Sequence, residues 1–232
     1  MQTSPHGGVL RTAEFEQSDF CSTCHQFGAE TAVNGKPLQN TYVEWRASPQ
    51  AAQGISCQTC HMPDRAHLWR GIHDREMVAK GLTPAITANA EKARFELVNT
   101  GVGHAFPTYA VPKVVMNLVA LDAGGVAQPQ TLHSYVIARN VRFDDATNAW
   151  VELSDTRLLP GQSATIELAW NGSERIRAWL DVIPDDAYAT QVFPQVIAGL
   201  PSDGEAYRLV NQALADAKAR SFTLYETELR RP

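Results

Sequence analysis

The sequence is short of cysteine, of long apolar runs and of positive charge. Its 232 residues hold four cysteines, and neighbouring ones are so close that disulfides between them would close loops of little stabilising value. The longest apolar run, residues 114–121, is broken by Asn117 and is too short to span a bilayer. The formal net charge of -5 argues against a nucleic-acid partner and favours partners with a basic surface. We therefore expect no disulfide framework, no membrane span and no nucleic-acid partner.

All four cysteines belong to two pentapeptides, Cys21-Ser22-Thr23-Cys24-His25 and Cys57-Gln58-Thr59-Cys60-His61. Each is a C-x-x-C-H motif, in which two thiols can add to the vinyl groups of a porphyrin and the histidine can ligate the iron. The main alternative is a four-cysteine zinc or iron–sulfur site, since paired C-x-x-C units also bind metals, but zinc would not require a histidine directly after both pairs. We therefore predict two covalently bound haems c, held by Cys21, Cys24, Cys57 and Cys60, with His25 and His61 as proximal iron ligands.

Each iron also needs a sixth ligand, and five other histidines are available. His104 lies in a loop with two glycines and a proline between predicted strands, where a single imidazole is well presented; the alternative is a buried histidine in a tight turn. His73 has the neighbouring carboxylate of Asp74 to orient it, or it simply precedes a helix that Asp74 caps. The predicted distal ligands are His104 and His73, with His6 as a further candidate; His67 and His133 are less well placed.

The predicted secondary structure changes near residue 91, from turns and short helices to strands. Residues 1–90 are rich in turn formers and poor in strand pattern, with helix candidates at 41–52 and 74–80, so bound haems would have to supply much of the core. Beyond residue 91, β-branched and aromatic residues between turn signals predict strands at 92–100, 113–122, 134–143, 149–154, 163–170, 175–183 and 221–227. We predict an α+β fold: a dihaem module (1–90), then an antiparallel β-sandwich (91–232) with an amphipathic helix near 204–220.

Four segments carry a resemblance to a known family. They are residues 20–27, 41–45 and 54–63, and the Gly-His-Ala-Phe-Pro-Thr loop at 103–108. They resemble bacterial multihaem c-type cytochromes, in particular those with a haem module followed by a β-sandwich, a group that overlaps the hydroxylamine-oxidoreductase-like and extracellular electron-transfer cytochromes. The resemblance implies that the loop of His104 donates a distal haem ligand, that histidines such as His6 and His73 often do the same, and that relatives commonly carry four or more haems.

The leading functional hypothesis is a dihaem cytochrome that passes single electrons to and from other redox proteins or haem chains. The first alternative is an enzyme with one open iron for peroxide, nitrite or hydroxylamine chemistry; Glu44, Asp64 and Asp74, near the motifs, are interpreted as ordinary charged residues rather than catalytic ones. The second is a subunit of a homo-oligomer or filament that stacks haems, because the spare histidines could ligate haems across a subunit boundary. We expect an electron-transfer protein rather than an enzyme.

Covalent attachment of haem by this motif implies the bacterial periplasm or its topological equivalent. Residues 1–5 show neither the basic n-region nor the apolar h-region of a secretion signal. We therefore expect that a signal or a longer upstream region was removed, and that the protein acts in the periplasm or outside the cell.

Overall fold

The computed structural model describes residues 8, 12–66, 68 and 70–232. His6 and His67 lie outside the described residues, so the structure places neither of these two ligand candidates. None of the helices in the described ranges is both long enough and apolar enough to cross a membrane.

Seven α-helices lie in the described ranges. Five belong to the first third of the chain: α1 Ser18–His25, α2 Thr41–Arg46, α3 Pro49–Ala52, α4 Cys57–His61 and α5 Arg75–Gly81. Two lie between the last two strands of the chain: α6 Phe193–Ala198 and α7 Glu205–Ala219. Short 3₁₀ turns cover Ala13–Glu16, Ala29–Thr31, Pro63–Arg65 and Pro129–Thr131, and a π-helical turn covers Tyr188–Val192.

Caps and a proline set the ends of these helices. The predicted helix over residues 41–52 is two helices, because Pro49 has no N–H to continue the first, and Ser48 instead caps α3 by accepting from Ala51 N–H at 3.2 Å. Asp74 caps α5 in the same way, accepting from Met77 N–H at 3.0 Å. The amphipathic helix predicted near 204–220 is present as α7.

Eleven strands in the described residues pair antiparallel throughout. They are β1 Ala32–Val33, β2 Lys36–Pro37, β3 Leu82–Ala88, β4 Lys92–Asn99, β5 Lys113–Leu121, β6 His133–Ile137, β7 Arg139–Asp144, β8 Ala149–Asp155, β9 Ser163–Ala169, β10 Arg175–Ile183 and β11 Phe222–Arg230. They form a four-stranded sheet in the order β11-β10-β5-β6, a three-stranded sheet in the order β3-β4-β9, and the hairpins β1-β2 and β7-β8. The α+β class predicted from the sequence is confirmed.

The two larger sheets enclose one hydrophobic core. Phe95 and Leu97 of β4 lie in the same buried cluster as Met116 and Leu118 of β5 and Leu180 of β10, and all five are fully buried. Each such side chain contributes roughly 1.5–3 kcal/mol by leaving water. The β-strand half of the chain therefore carries its own core.

Two differences from the predicted strands have physical reasons. Strand β3 is not among the predicted strands; it contains Pro84, and the structure places it at a sheet edge, where a proline costs the least. The strand predicted at 134–143 is interrupted at Ala138, whose backbone bonds with Thr156 instead of the sheet, so β6 and β7 belong to different sheets.

A buried arginine joins the two parts of the chain. The Arg139 side chain is fully buried and pairs with Glu152 at 2.9 Å. Its guanidinium also donates to the carbonyl oxygens of Val33, Lys36 and Pro37 at 3.0, 2.9 and 2.5 Å. The β1-β2 hairpin of the first part is thus fastened to the β7-β8 hairpin of the second.

Candidate haem centre

The two C-x-x-C-H motifs form helices that pack against each other. The motifs occupy α1 and α4, and the backbone N–H of Cys57 donates to Ser18 Oγ at 3.0 Å. Gln58, inside the second motif, donates to the carbonyl oxygens of Phe15 and Gln17, both at 2.9 Å. Burial, and secondarily the nearby Cys57 thiol, raises the pKa of Cys21 to about 11. Thiols from the two motifs are therefore neighbours.

His61 has a defined tautomer. Its Nδ1 lies 2.5 Å from the carbonyl oxygen of Arg70, and a carbonyl can only accept a hydrogen bond. Nδ1 therefore carries the proton, and Nε2 carries the lone pair that a metal needs. Arg70 is itself held by ion pairs with Asp74 and Glu76.

His25, the corresponding residue of the first motif, contacts a side chain instead. Its Nδ1 lies 2.8 Å from the Nε2 atom of Gln39. Burial and the nearby His61 lower the pKa of His25, which favours the neutral imidazole that can ligate a metal.

His104 lies opposite His61. The two ring centroids are 6.3 Å apart and the ring planes are within 13° of parallel. His104 Nδ1 lies 2.9 Å from the carbonyl oxygen of Ala105, so this nitrogen carries the proton and Nε2 the lone pair. Burial, with a smaller contribution from the nearby His61 and His25, lowers the pKa of His104 to about 4 despite the hydrogen bond to Ala105, so the ring is neutral at pH 7.

This separation suits two imidazoles that bind one metal ion from opposite sides. Two metal–nitrogen bonds of about 2 Å each, plus the distance from each nitrogen to its ring centre, add up to about 6 Å. The donor chemistry thus fits a c-type haem: two thiols and a histidine of each motif would hold it, and His104 would supply a further neutral imidazole near His61.

The loop that presents His104 is anchored from both parts of the chain. Asn99 Nδ2 donates to the carbonyl oxygens of His104 and Leu158 at 3.1 and 2.9 Å. Glu44 of α2 accepts from Ala105 N–H at 3.0 Å, and burial raises the pKa of Glu44 despite that hydrogen bond. Glu44 is therefore a positioning residue of the loop rather than the ordinary charged residue we expected.

Close packing explains the glycine before His104. A Cβ atom at Gly103 would lie 3.1 Å from Trp45 Cδ1 and 3.3 Å from both Gln50 Cβ and Ser48 Oγ. Such contacts are tight, so the absence of a side chain lets the loop approach α2 and α3.

The two other candidate histidines among the described residues have different partners. His73 Nε2 is 3.1 Å from Asp185 Oδ1, and Arg220 contacts the other oxygen of this buried carboxylate at 3.3 Å. His133 is exposed on β6, with Nδ1 2.7 Å from the carbonyl oxygen of Glu167. The structure thus brings His25, His61 and His104 together and pairs His73 with Asp185.

Three residues of the centre were missed by the sequence analysis: Gln39, Glu44 and Arg70. Gln39 and Arg70 carry no motif of their own, and Arg70 acts through its backbone carbonyl, which no residue type reveals. Glu44 lies in one of the four segments that carry the family resemblance, and that position was the only signal available for it.

The fold has a counterpart among solved structures. The chain is similar to a penta-heme cytochrome c552 from Thermochromatium tepidum, with a TM-score of 0.64 and 20% sequence identity. The match covers 94% of this chain and 56% of that one, so the chain spans just over half the length of the pentahaem protein. No protein-family model and no curated protein matches the sequence.

The chain therefore shares its fold with this penta-heme cytochrome over 94% of its own length. At this sequence identity the likeness shows a shared fold, and it supports the resemblance identified from the two motifs and the His104 loop. The number of haems in the longer protein is a property of that protein.

Proposed function

We propose that this chain is a dihaem c-type cytochrome that passes single electrons between redox partners. The observation that carries the proposal is the facing pair His61 and His104, each with Nδ1 bonded to a backbone carbonyl and Nε2 carrying the lone pair. Cys57 and Cys60 would attach the haem of this pair, and Cys21, Cys24 and His25 would hold the second. When bound, each haem supplies a one-electron ferric/ferrous couple.

The protein side of this function is ligation and burial. Two neutral imidazoles would saturate the iron of His61, which leaves no position for a substrate and favours a lower potential than histidine–methionine ligation. The low pKa of His104 keeps this ring in the ligating form from neutral pH down to moderately acidic pH. The rigid loop of His104 holds the ligand in place, so the ligand set needs little rearrangement when the electron moves.

His73 and His6 remain our proposed distal ligands for the haem of His25. His73 uses Nε2, the nitrogen that would bind iron, to contact Asp185, so ligation would exchange this hydrogen bond for the iron bond. The same observation favours a second candidate function, a haem enzyme in which the iron of His25 is open to peroxide, nitrite or hydroxylamine.

We place this function in the periplasm or outside the cell, because covalent attachment of haem by C-x-x-C-H motifs belongs to that compartment. Partners would be redox proteins with a basic surface, since the chain carries a net charge of -5 and each haem adds propionates.

The test is the absorption spectrum of the holoprotein with and without carbon monoxide, together with a pyridine haemochrome count. We expect two haems c per chain and no carbon monoxide shift at the haem of His61. In His104→Ala we expect one haem to become high-spin and to bind carbon monoxide while its covalent attachment persists. The matched control is His133→Ala, which removes an exposed imidazole on strand β6 and should leave the spectrum unchanged.

Two outcomes would contradict the assignment. An unchanged spectrum for His104→Ala would remove His104 from the ligand set, and a chain without covalent haem would end the cytochrome proposal. Carbon monoxide binding at one haem of the wild type, unaltered in His73→Ala, would instead favour the enzyme with an open iron at His25.

A further inference from the structure

The two proximal histidines rest on different kinds of hydrogen-bond partner. His61 Nδ1 donates to the backbone carbonyl of Arg70 at 2.5 Å, whereas His25 Nδ1 accepts from the side-chain amide nitrogen Nε2 of Gln39 at 2.8 Å. A backbone carbonyl is present whatever residue stands there. A side-chain amide can be exchanged by a single substitution. The residue type at position 39 therefore affects the hydrogen bond of His25, whereas the residue type at position 70 does not affect that of His61.

The backbone around Gln39 is held in place from several directions. The backbone carbonyl oxygen of Gln39 accepts from Phe27 N–H at 2.9 Å, just beyond the first motif. Next to it, Asn40 Oδ1 accepts from Gln26 Nε2 at 2.9 Å. On the other side, the β1-β2 hairpin that precedes Gln39 is fastened by the fully buried guanidinium of Arg139. These contacts fix the backbone before and after Gln39, close to the first motif.

The amide can present either of its two ends to the imidazole. A half-turn about its last bond exchanges the oxygen and the nitrogen at nearly the same positions. An imidazole that binds iron through Nε2 carries its proton on Nδ1, and such an N–H needs an acceptor. With a haem bound, Gln39 would therefore offer its oxygen Oε1 to His25.

We propose that Gln39 sets the reduction potential of the haem attached at Cys21 and Cys24 by accepting the Nδ1–H hydrogen bond of His25. The inference rests on the proposed haem function. A stronger acceptor on Nδ1 makes the imidazole more electron-rich, which stabilises ferric over ferrous iron and lowers the potential. Gln39 acts through His25 and is a positioning and tuning residue, while the haem of His61 is tuned by the fixed carbonyl of Arg70.

The experiment is a spectroelectrochemical titration of the holoprotein, which resolves the one-electron steps of the two haems. In Gln39→Leu, which offers no acceptor, we expect one midpoint potential to rise and the other to stay. In Gln39→Glu, which is nearly the same size and offers a charged acceptor, we expect the same potential to fall below that of the wild type. Opposite shifts at one haem are the signature of the hydrogen bond, because a merely structural role would move both variants in the same direction.

Controls assign the effect to one haem and to one residue. Gln212→Leu and Gln212→Glu make the same side-chain changes on the exposed face of α7 and should leave both potentials unchanged. In a His104→Ala background the haem of His61 is marked by its high-spin spectrum, so the shifted step must belong to the other haem.

The inference is overturned if neither Gln39 variant moves a potential, if both haems shift equally, or if the two variants shift in the same direction. These outcomes require two attached haems, which the pyridine haemochrome count measures independently. Absence of attached haem would contradict the proposed function itself, so the two failures are distinguishable.

Discussion

The two parts of the chain differ in the source of their buried apolar surface. From Leu82 onward, side chains such as Phe95 and Leu180 are fully buried in a single cluster between two sheets. In the described residues before Leu82, the buried hydrophobic side chains are Cys21, Val33 and Val78, and Cys21 is a thiol that we propose to attach haem. Hydrogen bonds, caps and ion pairs connect this first region, but they replace bonds to water and add little net stability. From this comparison we expect the first region to need a cofactor as its core, whereas the second carries its own.

Removal of the haems should give the largest effect, and it tests directly whether the two regions differ in their dependence on a cofactor. We expect a variant with all four cysteines replaced by alanine to exchange amide hydrogens in residues 12–66 at least about a hundredfold faster, equivalent to about 3 kcal/mol of opening free energy. Strands β5 and β10 should stay protected, because their core contains no haem. Hydrogen-exchange mass spectrometry of the holoprotein and the variant measures both regions at once. Equal acceleration in both regions would show that they share one cooperative unit.

A core substitution in the strand region should give the converse result. Phe95→Ala removes a fully buried ring and should lower the free energy of unfolding by about 3–5 kcal/mol. The haem absorption spectrum of the native state should not change, since Phe95 packs between the sheets. Leu153→Ala is the control: its side chain is 61% exposed, and the expected loss is about 0.5 kcal/mol or less. Denaturant unfolding followed by far-ultraviolet circular dichroism supplies the free energies.

A smaller effect is expected at the ion pairs that join the two regions. Burial alone would raise the pKa of Asp155, but hydrogen bonds from Arg157 and Lys36 outweigh it and hold this pKa well below its ordinary value. The stability that this carboxylate contributes is therefore present above its unfolded pKa, about 3.9, and is lost as pH falls further. Asp155→Asn should cost about 1–3 kcal/mol at pH 7 and should flatten the decline in stability on the acid side.

Thermal melts between pH 7 and pH 3 measure this difference. The exposed Asp203→Asn is the control, since it makes the same charge change away from the boundary between the regions. A variant whose melting temperature runs parallel to that of the wild type at every pH would show that the Asp155 pairs do not couple stability to protonation.

Local pattern predicted much of the fold. Strands β4 and β10 and helix α7 lie within about a residue of the ranges expected from alternation and helical spacing. The differences occur at prolines and at long-range contacts. Pro49 divides the predicted helix into two, and Pro84 lies in an edge strand that was not predicted. The backbone of Ala138 hydrogen-bonds to Thr156, which ends strand β6. Periodicity reports which face of a segment is apolar, and it carries no information on which other segment covers that face.

The sequence by itself determined the two C-x-x-C-H motifs, because this pattern depends on residues within one turn of a helix. It also indicated the loop of His104 and the α+β class. Only the tertiary structure decided that the ring of His104 lies near that of His61, that His73 contacts Asp185, and that Gln39 and the carbonyl of Arg70 contact the rings of His25 and His61. These are contacts between separate elements, and their geometry arises when the sheets and the Arg139 connection bring distant backbone segments together.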